Sequence, residues 1–513
     1  MSDTQVLIIG AGPTGLVHAL WLTRLGVRVR IVDKLAEAGT TSRALVVHAR
    51  TLEFYRQIGL ADEGVRRALR FDTANLWARQ RRVGRVEIGA AGKGVSPFPY
   101  MVIYPQDEHE RFLIEQLAAL GVRVERPTEL IGFEDLGTHV RARLRRADGT
   151  EETCDADYLA GCDGARSAVR DGLGIGFLGS TYEHLFYVAD VDAAGPMMNG
   201  ELHVALDEAD FLAVFPLART GRSRLIGTAR AGGGSGAREE MTWDDVGKET
   251  LDHLQIDVQR VNWFSTYRVH HRVAERFRAS ERGRAFLLGD AAHIHSPVGG
   301  QGMNTGIGDA VNLAWKLAAV IKRQAPPELL DTYEPERIAF ARRLVATTDR
   351  AFTVVTSTGP VARVMRVDVV PRVLPPLVRS TPGRRFFFRT ISQTAIEYRD
   401  GRLSEGSAGK VHGGDRLPWV TLSNGVDNFD PLTSMAWQVH VYGRCGEAIH
   451  QACARRGLPL HEFPWSDNAR RVGLTRDAIY LVRPDGYVGL ADRGADAAAL
   501  DAYLDARGVR MTD

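Results

Sequence analysis

Cysteine is scarce in this chain: Cys154, Cys162, Cys445 and Cys453 are the only four among 513 residues. None of them forms a C-x-x-C pair, so the spacing argues against a disulfide framework, a redox pair and a zinc site. Long apolar runs are also missing. Nothing approaches the roughly 18 apolar residues of a membrane span, and Val6 to Ile9 is too short, and lacks the basic leader, for a signal-peptide core. Nor is there charge of one sign. Lys and Arg total 65 against 63 Asp and Glu, a formal net charge of +2, which speaks against a nucleic-acid binder and against an acidic tail. Together these absences predict a reduced, cytoplasmic protein with no membrane span and no nucleic-acid partner.

What is present is an ordinary globular composition, 44% apolar and 25% charged, enough for two to four domains. The excess is in glycine, with 53 residues where average usage would give roughly 36.

The first 35 residues have the grammar of a β-α-β unit: a buried strand at Val6 to Ile9, a glycine turn, a helix to about Leu25 and a strand at Val27 to Val32. From Asp72 to Tyr104 the pattern is irregular, and Glu108 to Leu120 is helical. Residues 184 to 230 are strand-rich, which predicts an antiparallel substrate platform. Asn304 to Ile321 reads as a helix. Pro360 to Arg389 holds five prolines and seven arginines against one acid, Asp368, and reads as a broken helical linker rather than a patch for an anionic surface. Strands near Ala436 to Val441 and Ala478 to Val482 mark a separate C-terminal tract.

Gly10-Ala11-Gly12-Pro13-Thr14-Gly15 fits G-x-G-x-x-G between a strand and a helix, and Asp33 closes the next strand, where it can accept a ribose hydroxyl. Such glycines let backbone and a helix N-terminus approach a pyrophosphate. Gly174 to Gly179 has the same spacing without flanking elements and reads as a loop. NAD and FAD are both open at this point.

Tyr158-Leu159-Ala160-Gly161-Cys162-Asp163-Gly164-Ala165-Arg166-Ser167 resembles the Asp-Gly motif of FAD-dependent aromatic hydroxylases. Phe286-Leu287-Leu288-Gly289-Asp290-Ala291-Ala292-His293, running on through Pro297-Val298-Gly299-Gly300-Gln301-Gly302-Met303-Asn304, resembles their Gly-Asp motif. The chain is thus similar to the single-component flavoprotein monooxygenases, in the branch of phenol hydroxylase and the polyketide-tailoring hydroxylases. The resemblance implies an α/β fold: a Rossmann-like FAD-binding domain (1–75, 104–175 and 275–355), an inserted β-sheet substrate domain (76–103 and 176–274), a helical linker (356–399) and a thioredoxin-like C-terminal domain (400–513). Leu481-Val482-Arg483-Pro484-Asp485-Gly486-Tyr487-Val488 carries the last of these.

The same resemblance implies that NAD(P)H reduces FAD, that O2 adds to give a C4a-hydroperoxyflavin, and that a phenolic or polycyclic aromatic substrate is hydroxylated. The residues carried over to the cofactor are Gly10, Gly12, Pro13, Thr14, Gly15, Asp33, Lys34, Arg43, Gln106, Asp163, Gly164, Asp290, Pro297, Gly300, Gln301, Gly302, Met303 and Asn304. A helix starting near Gly302 would aim its positive end at the flavin and favour the reduced anion. No catalytic acid or base is assigned; the backbone N–H groups of Gly300 to Gly302 are the best candidates. An oxygenase of the same fold acting on a ketone or antibiotic, and a flavin-binding sensor without turnover, are the alternatives, and a homodimer is left open. His293 and His295 near Asp290 are not read as a metal cluster. His48 is read as facing the substrate or as having a helix-start or packing role.

Overall fold

The structure is a computed structural model and describes all residues except 1, 40–43, 80, 90, 207–210, 218–221, 230–241, 247–248, 296–297, 357–358, 423–424 and 512–513. Val6, Leu7 and Ile8 are fully buried in strand β1 (Thr4–Ile9), as expected for a strand covered on both faces. β1 pairs in parallel with β2 (Val29–Val32) on one side and with Glu151–Gly161 on the other, and helix α1 (Pro13–Arg24) makes the crossover. The strands 128–135 and 140–146 extend this seven-stranded sheet at one edge, 124–125 closes the other, and Ala285–Leu287 joins in parallel beside Glu151–Gly161. Along Val140–Arg146, Val140, Ala142 and Leu144 are buried while Arg141, Arg143 and Arg145 face solvent, the period of two that a one-sided strand requires.

The expected platform is an eight-stranded sheet, antiparallel except where Thr73–Ala78 runs parallel to Leu202–Leu206. Two differences from the sequence reading stand out. The irregular tract after Asp72 supplies two strands, Thr73–Ala78 and Arg81–Glu87, at the sheet's edge. Arg81–Glu87 is the edge strand, and its arginines obscure the pattern because an edge strand meets water where an inner strand meets core; Thr73–Ala78 lies inside it and carries no arginine. The loop at Gly174 ends at Gly176, and Phe177 opens an 18-residue strand, Phe177–Ala194. His270 and His271 lie on the neighbouring strand and reach Thr181 and Ser180 respectively.

The linker forms helices Pro360–Val364, Val370–Arg379 and Thr381–Ile391. Arg366 is buried, and Asp368 is bridged by Arg79 of the platform and by Arg372, each at 3.0 Å. At the C-terminal end, Gln438–Tyr442 and Leu460–Phe463 are parallel, Ile479–Val482 and Val488–Asp492 are antiparallel neighbours, and helices Glu447–Arg456 and Ala497–Ala506 pack together on one face of the six-stranded sheet. All four cysteines are free thiols.

Candidate functional site

Three glycine motifs leave one row of the seven-stranded sheet. Ile9 is in register with Gly161, and Gly161 with Leu287, all on parallel strands. Gly10, Cys162-Asp163 and Gly289-Asp290 therefore emerge side by side at the carboxyl edge, where open α/β sheets bind ligands. Gly10 has φ +98°, and a Cβ there would lie 2.4 Å from the Cys162 carbonyl oxygen; one on Gly15 would lie 2.0 Å from the Gly10 oxygen. A Cβ on Gly12, by contrast, would meet no atom within 4 Å. That open face precedes a helix with no side-chain cap and no acid in its first turn, so its N–H groups and dipole are available to an anion. The described residues thus fit a dinucleotide pyrophosphate.

Asp33 accepts the Ala11 N–H (2.7 Å) on Oδ2 and the Leu35 N–H (2.8 Å) on Oδ1, where Arg126 also pairs at 3.1 Å. Oδ2 retains an acceptor position of the kind a ribose hydroxyl uses. Arg126 was not foreseen: it stands 93 residues beyond Asp33 and also donates to the Ala11, Leu35 and Glu37 carbonyls. Lys34 is exposed beside this pair. Gln106 accepts the Ala44 N–H at 3.2 Å and donates to Glu110 at 2.8 Å. Burial raises the Glu110 carboxyl, against the hydrogen bonds from Gln106 and Gly39. Arg43 and Pro297 lie outside the described residues.

The Asp163 carboxylate faces inward. It accepts from Ser167 Oγ (2.6 Å) and the Val169 N–H (3.1 Å), and Ser167 caps the short helix Ala168–Gly172. Burial raises its pKa, and these bonds oppose the rise. The motif thereby shapes the loop that presents Gly164. Asp290 is exposed at the same edge. His293 pairs with Asp309, at 2.7 Å, and Asp309 also accepts from Arg337 (2.6 Å) and the Gly289 N–H (3.0 Å). Burial alone would raise Asp309, but Arg337 and His293 outweigh it and hold the carboxyl low. No sequence pattern marks this triad, because its members come from three separate segments.

Thr14 locks the two helix starts together. Cβ atoms on Gly289 and Gly306 would lie 2.6 and 2.3 Å from its Oγ1, so only glycine at both positions leaves room for the threonine. The Gly302–Ile321 helix has neither a side-chain cap nor an acid in its first turn. The turn before it places Gly299 at φ +79° and Gly300 at φ +62°, left-handed values that suit glycine. His48 Nε2–H donates to the Gly299 and Gly300 carbonyls at 3.0 and 3.1 Å. Burial drives this imidazole down to about 4, although those bonds favour its charged form, so it is neutral at pH 7. His48 occupies the N-cap position of α2 (Ala49–Gln57), the helix-start reading.

Asn304 makes four bonds inside the protein: it accepts from the His48 N–H (2.9 Å) and Thr51 Oγ1 (2.8 Å) and donates to the Val46 and Gly300 carbonyls (2.9 Å each). Gln393, from the linker, donates to the Gln301 carbonyl and to Thr305 Oγ1. Met303 is partly buried against the main core. Beside Gly300, Val46 opens an apolar cluster with Phe71 and Met101, against which Phe215 of the platform and Phe387 of the linker pack.

Comparison with known proteins agrees with this geometry. A family model described as "FAD binding domain" matches residues 3–348. The chain is 34% identical to 6-methylpretetramide 4-monooxygenase of Streptomyces rimosus, over 98% of this chain and 93% of that protein. It is 33% identical to pentachlorophenol 4-monooxygenase of Sphingobium chlorophenolicum, over 98% and 97%. The solved structure of the anhydrotetracycline hydroxylase of Streptomyces rimosus superposes with a TM-score of 0.79 at 28% identity, covering 99% of this chain and all of that one. The chain belongs to the FAD-binding-domain family and is one of its monooxygenases.

Proposed function

We propose that this enzyme uses NAD(P)H and O2 to hydroxylate a phenolic or polycyclic aromatic compound. The observation that carries the reading is the meeting of two uncapped helix starts, locked through Thr14, beside an apolar wall at Val46, Phe71, Met101 and Phe215. Gly10, Gly12 and Gly15 would hold the pyrophosphate with the first-turn N–H groups of Pro13–Arg24. Asp33 and Arg126 would hold the adenosine end, and Asp290 and Gln106 the ribityl side. FAD held there would supply the redox chemistry by which NAD(P)H and a proton reduce O2, one oxygen atom entering the ring and the other leaving as water.

The chain's own part is orientation, water exclusion and charge. The start of the Gly302–Ile321 helix stabilises negative charge placed before it, and the apolar cluster keeps the reacting face dry. The neutral His48 imidazole fixes the carbonyls of the preceding turn. We assign the division into FAD-binding, platform, linker and thioredoxin-like regions on the same basis. For the last region, support comes from the strand order 488–492, 479–482, 438–442, 460–463 with one parallel pair.

The test is to incubate the purified chain with FAD, NADPH or NADH and a panel of phenols and polycyclic aromatics, following cofactor oxidation and product mass together. Oxidation stimulated by an aromatic compound, with a product one oxygen atom heavier, is the expected result. Oxidation that no aromatic compound stimulates, with no oxygenated product, overturns the reading.

A further inference from the structure

Helix α2 joins two parts of the chain that are distant in sequence. Its start holds the cofactor-side turn: His48 reaches the Gly299 and Gly300 carbonyls, and Thr51 bonds Asn304 Oδ1 at 2.8 Å. Its apolar residues Leu52, Phe54 and Tyr55 pack into the main core. Its remaining long polar side chains all turn to the C-terminal tract. Arg50 donates to the Asp485 carbonyl (2.7 Å) and lies 4.8 Å over the Tyr487 ring. Glu53 accepts two bonds from Arg416, at 2.5 and 2.8 Å. Arg56 pairs with Asp427 (2.8 Å) and Asp430 (2.5 Å), and Gln57 donates to the Leu432 and Pro484 carbonyls at 3.1 and 2.9 Å.

The grip is built from charge where packing would suffice. Glu53, Arg50 and Arg416 are each more than nine-tenths buried, and a buried ionic group is a poor source of net stability compared with apolar residues of the same volume. What it does supply is one allowed geometry, since removing any partner strands a buried charge. A helix anchored in this way cannot slide or rotate without breaking several bonds together.

We propose that the C-terminal six-stranded unit is a positioning element of the cofactor site: by holding α2 it fixes His48, and His48 fixes the Gly299–Gly300 turn. Arg416, Asp427 and the Pro484-Asp485 segment are then positioning residues that act through α2 without touching cofactor or substrate. The inference rests on the FAD reading above for its ligand, though not for the mechanical link.

The test uses the full chain without and with FAD. Peptide-level hydrogen exchange is measured over 44–54, 298–306 and 4–24 in wild type, in the double variant Arg56→Ala/Gln57→Ala, in Arg50→Met, and in His48→Phe and His48→Gln; FAD affinity is measured by fluorescence titration. Loosening the grip should speed exchange in 44–54 and 298–306 by about tenfold, leave 4–24 unchanged and weaken FAD by about tenfold. His48→Phe should do the same while leaving 427–485 protected. His48→Gln, which keeps an N–H donor, should restore most of the loss. A turn whose exchange ignores the α2 variants overturns the link, as does a uniform rise across all peptides, the mark of a merely structural loss. A wild-type chain that takes up no FAD overturns the cofactor reading instead.

Discussion

The two helix starts that meet at Thr14 are built on opposite plans. The start at Pro13 is shaped chiefly by backbone against backbone, Gly10 against the Cys162 carbonyl and Gly15 against the Gly10 carbonyl, with the Asp33 and Arg126 side chains bonding only Ala11 of that turn. The start at Gly302 is shaped by side chains: His48 and Gln393 from elsewhere, and Asn304 of its own first turn, which ties it to His48, Thr51 and Val46. A site made of backbone contacts tolerates change around it and fails when a glycine gains a methyl. A site held by remote side chains keeps its glycines and fails when a support is trimmed.

The sharpest way to break this contrast is Gly10→Ala. Its Cβ would sit 2.4 Å from a carbonyl oxygen at φ +98°, and clash plus left-handed strain should amount to a few kcal/mol, enough to weaken FAD by about a hundredfold or more. Fluorescence titration reads the loss, and affinity within threefold of wild type would refute the backbone plan. Next in size is Asn304→Ala, which removes four buried hydrogen bonds, although the Gly300 carbonyl keeps its bond from His48. We expect about 2–4 kcal/mol of lost stability by urea denaturation, with FAD binding weakened in parallel. An unchanged midpoint would refute the remote-support plan.

Acid should act on both starts through histidine. His18 joins α1 to the Ala310 carbonyl at 2.9 Å, and burial lowers it, like His48, to about 4 from an ordinary 6.5. The unfolded chain takes up these protons first as pH falls below 6.5, so native stability should drop between pH 6.5 and 4, by up to about 3 kcal/mol per histidine. Fully buried His109 and His440, each lowered to about 3, add to the same limb. Urea midpoints at pH 7, 5.5 and 4.5 should converge in His18→Gln and His48→Gln relative to wild type. The smallest effect belongs to Lys34→Ala, an exposed position where FAD affinity should change by less than about threefold; a tenfold loss would show that the first start also depends on an exposed charge.

The same contrast explains what could be read in advance. G-x-G-x-x-G and Asp33 are local patterns, because six residues and the end of the next strand carry the spacing, while their neighbours Cys162 and Arg126 come from elsewhere. The Asp-Gly and Gly-Asp strings were legible through their resemblance to family motifs, each following an apolar strand end. Arg126, Gln393, Asp309 and Arg337 left no trace, and His293 was legible only as a motif residue without its partners, since each acts on a segment that only folding brings near. Asp163 was legible as a motif residue, while its inward bonds to Ser167 and Val169 were not. The outer strand of the hairpin after Asp72 escaped for a different reason, its arginines replacing the alternation that marks a covered strand.

Two adjacent residues of the helix Tyr333–Thr356 face different neighbours. Glu336 takes Arg483 (2.8 Å) and Lys316 (2.9 Å), and although burial would raise its carboxyl, those cations hold it down at about 2. Arg337 takes Asp309 and the Thr305 carbonyl on the cofactor side. One helical turn thus belongs to two ionic clusters, so neither end of the molecule can melt while the other stays folded without exposing a charge from the shared turn. Heating should therefore show a single calorimetric transition, and a chain cut between the two clusters should yield fragments that refold only when mixed.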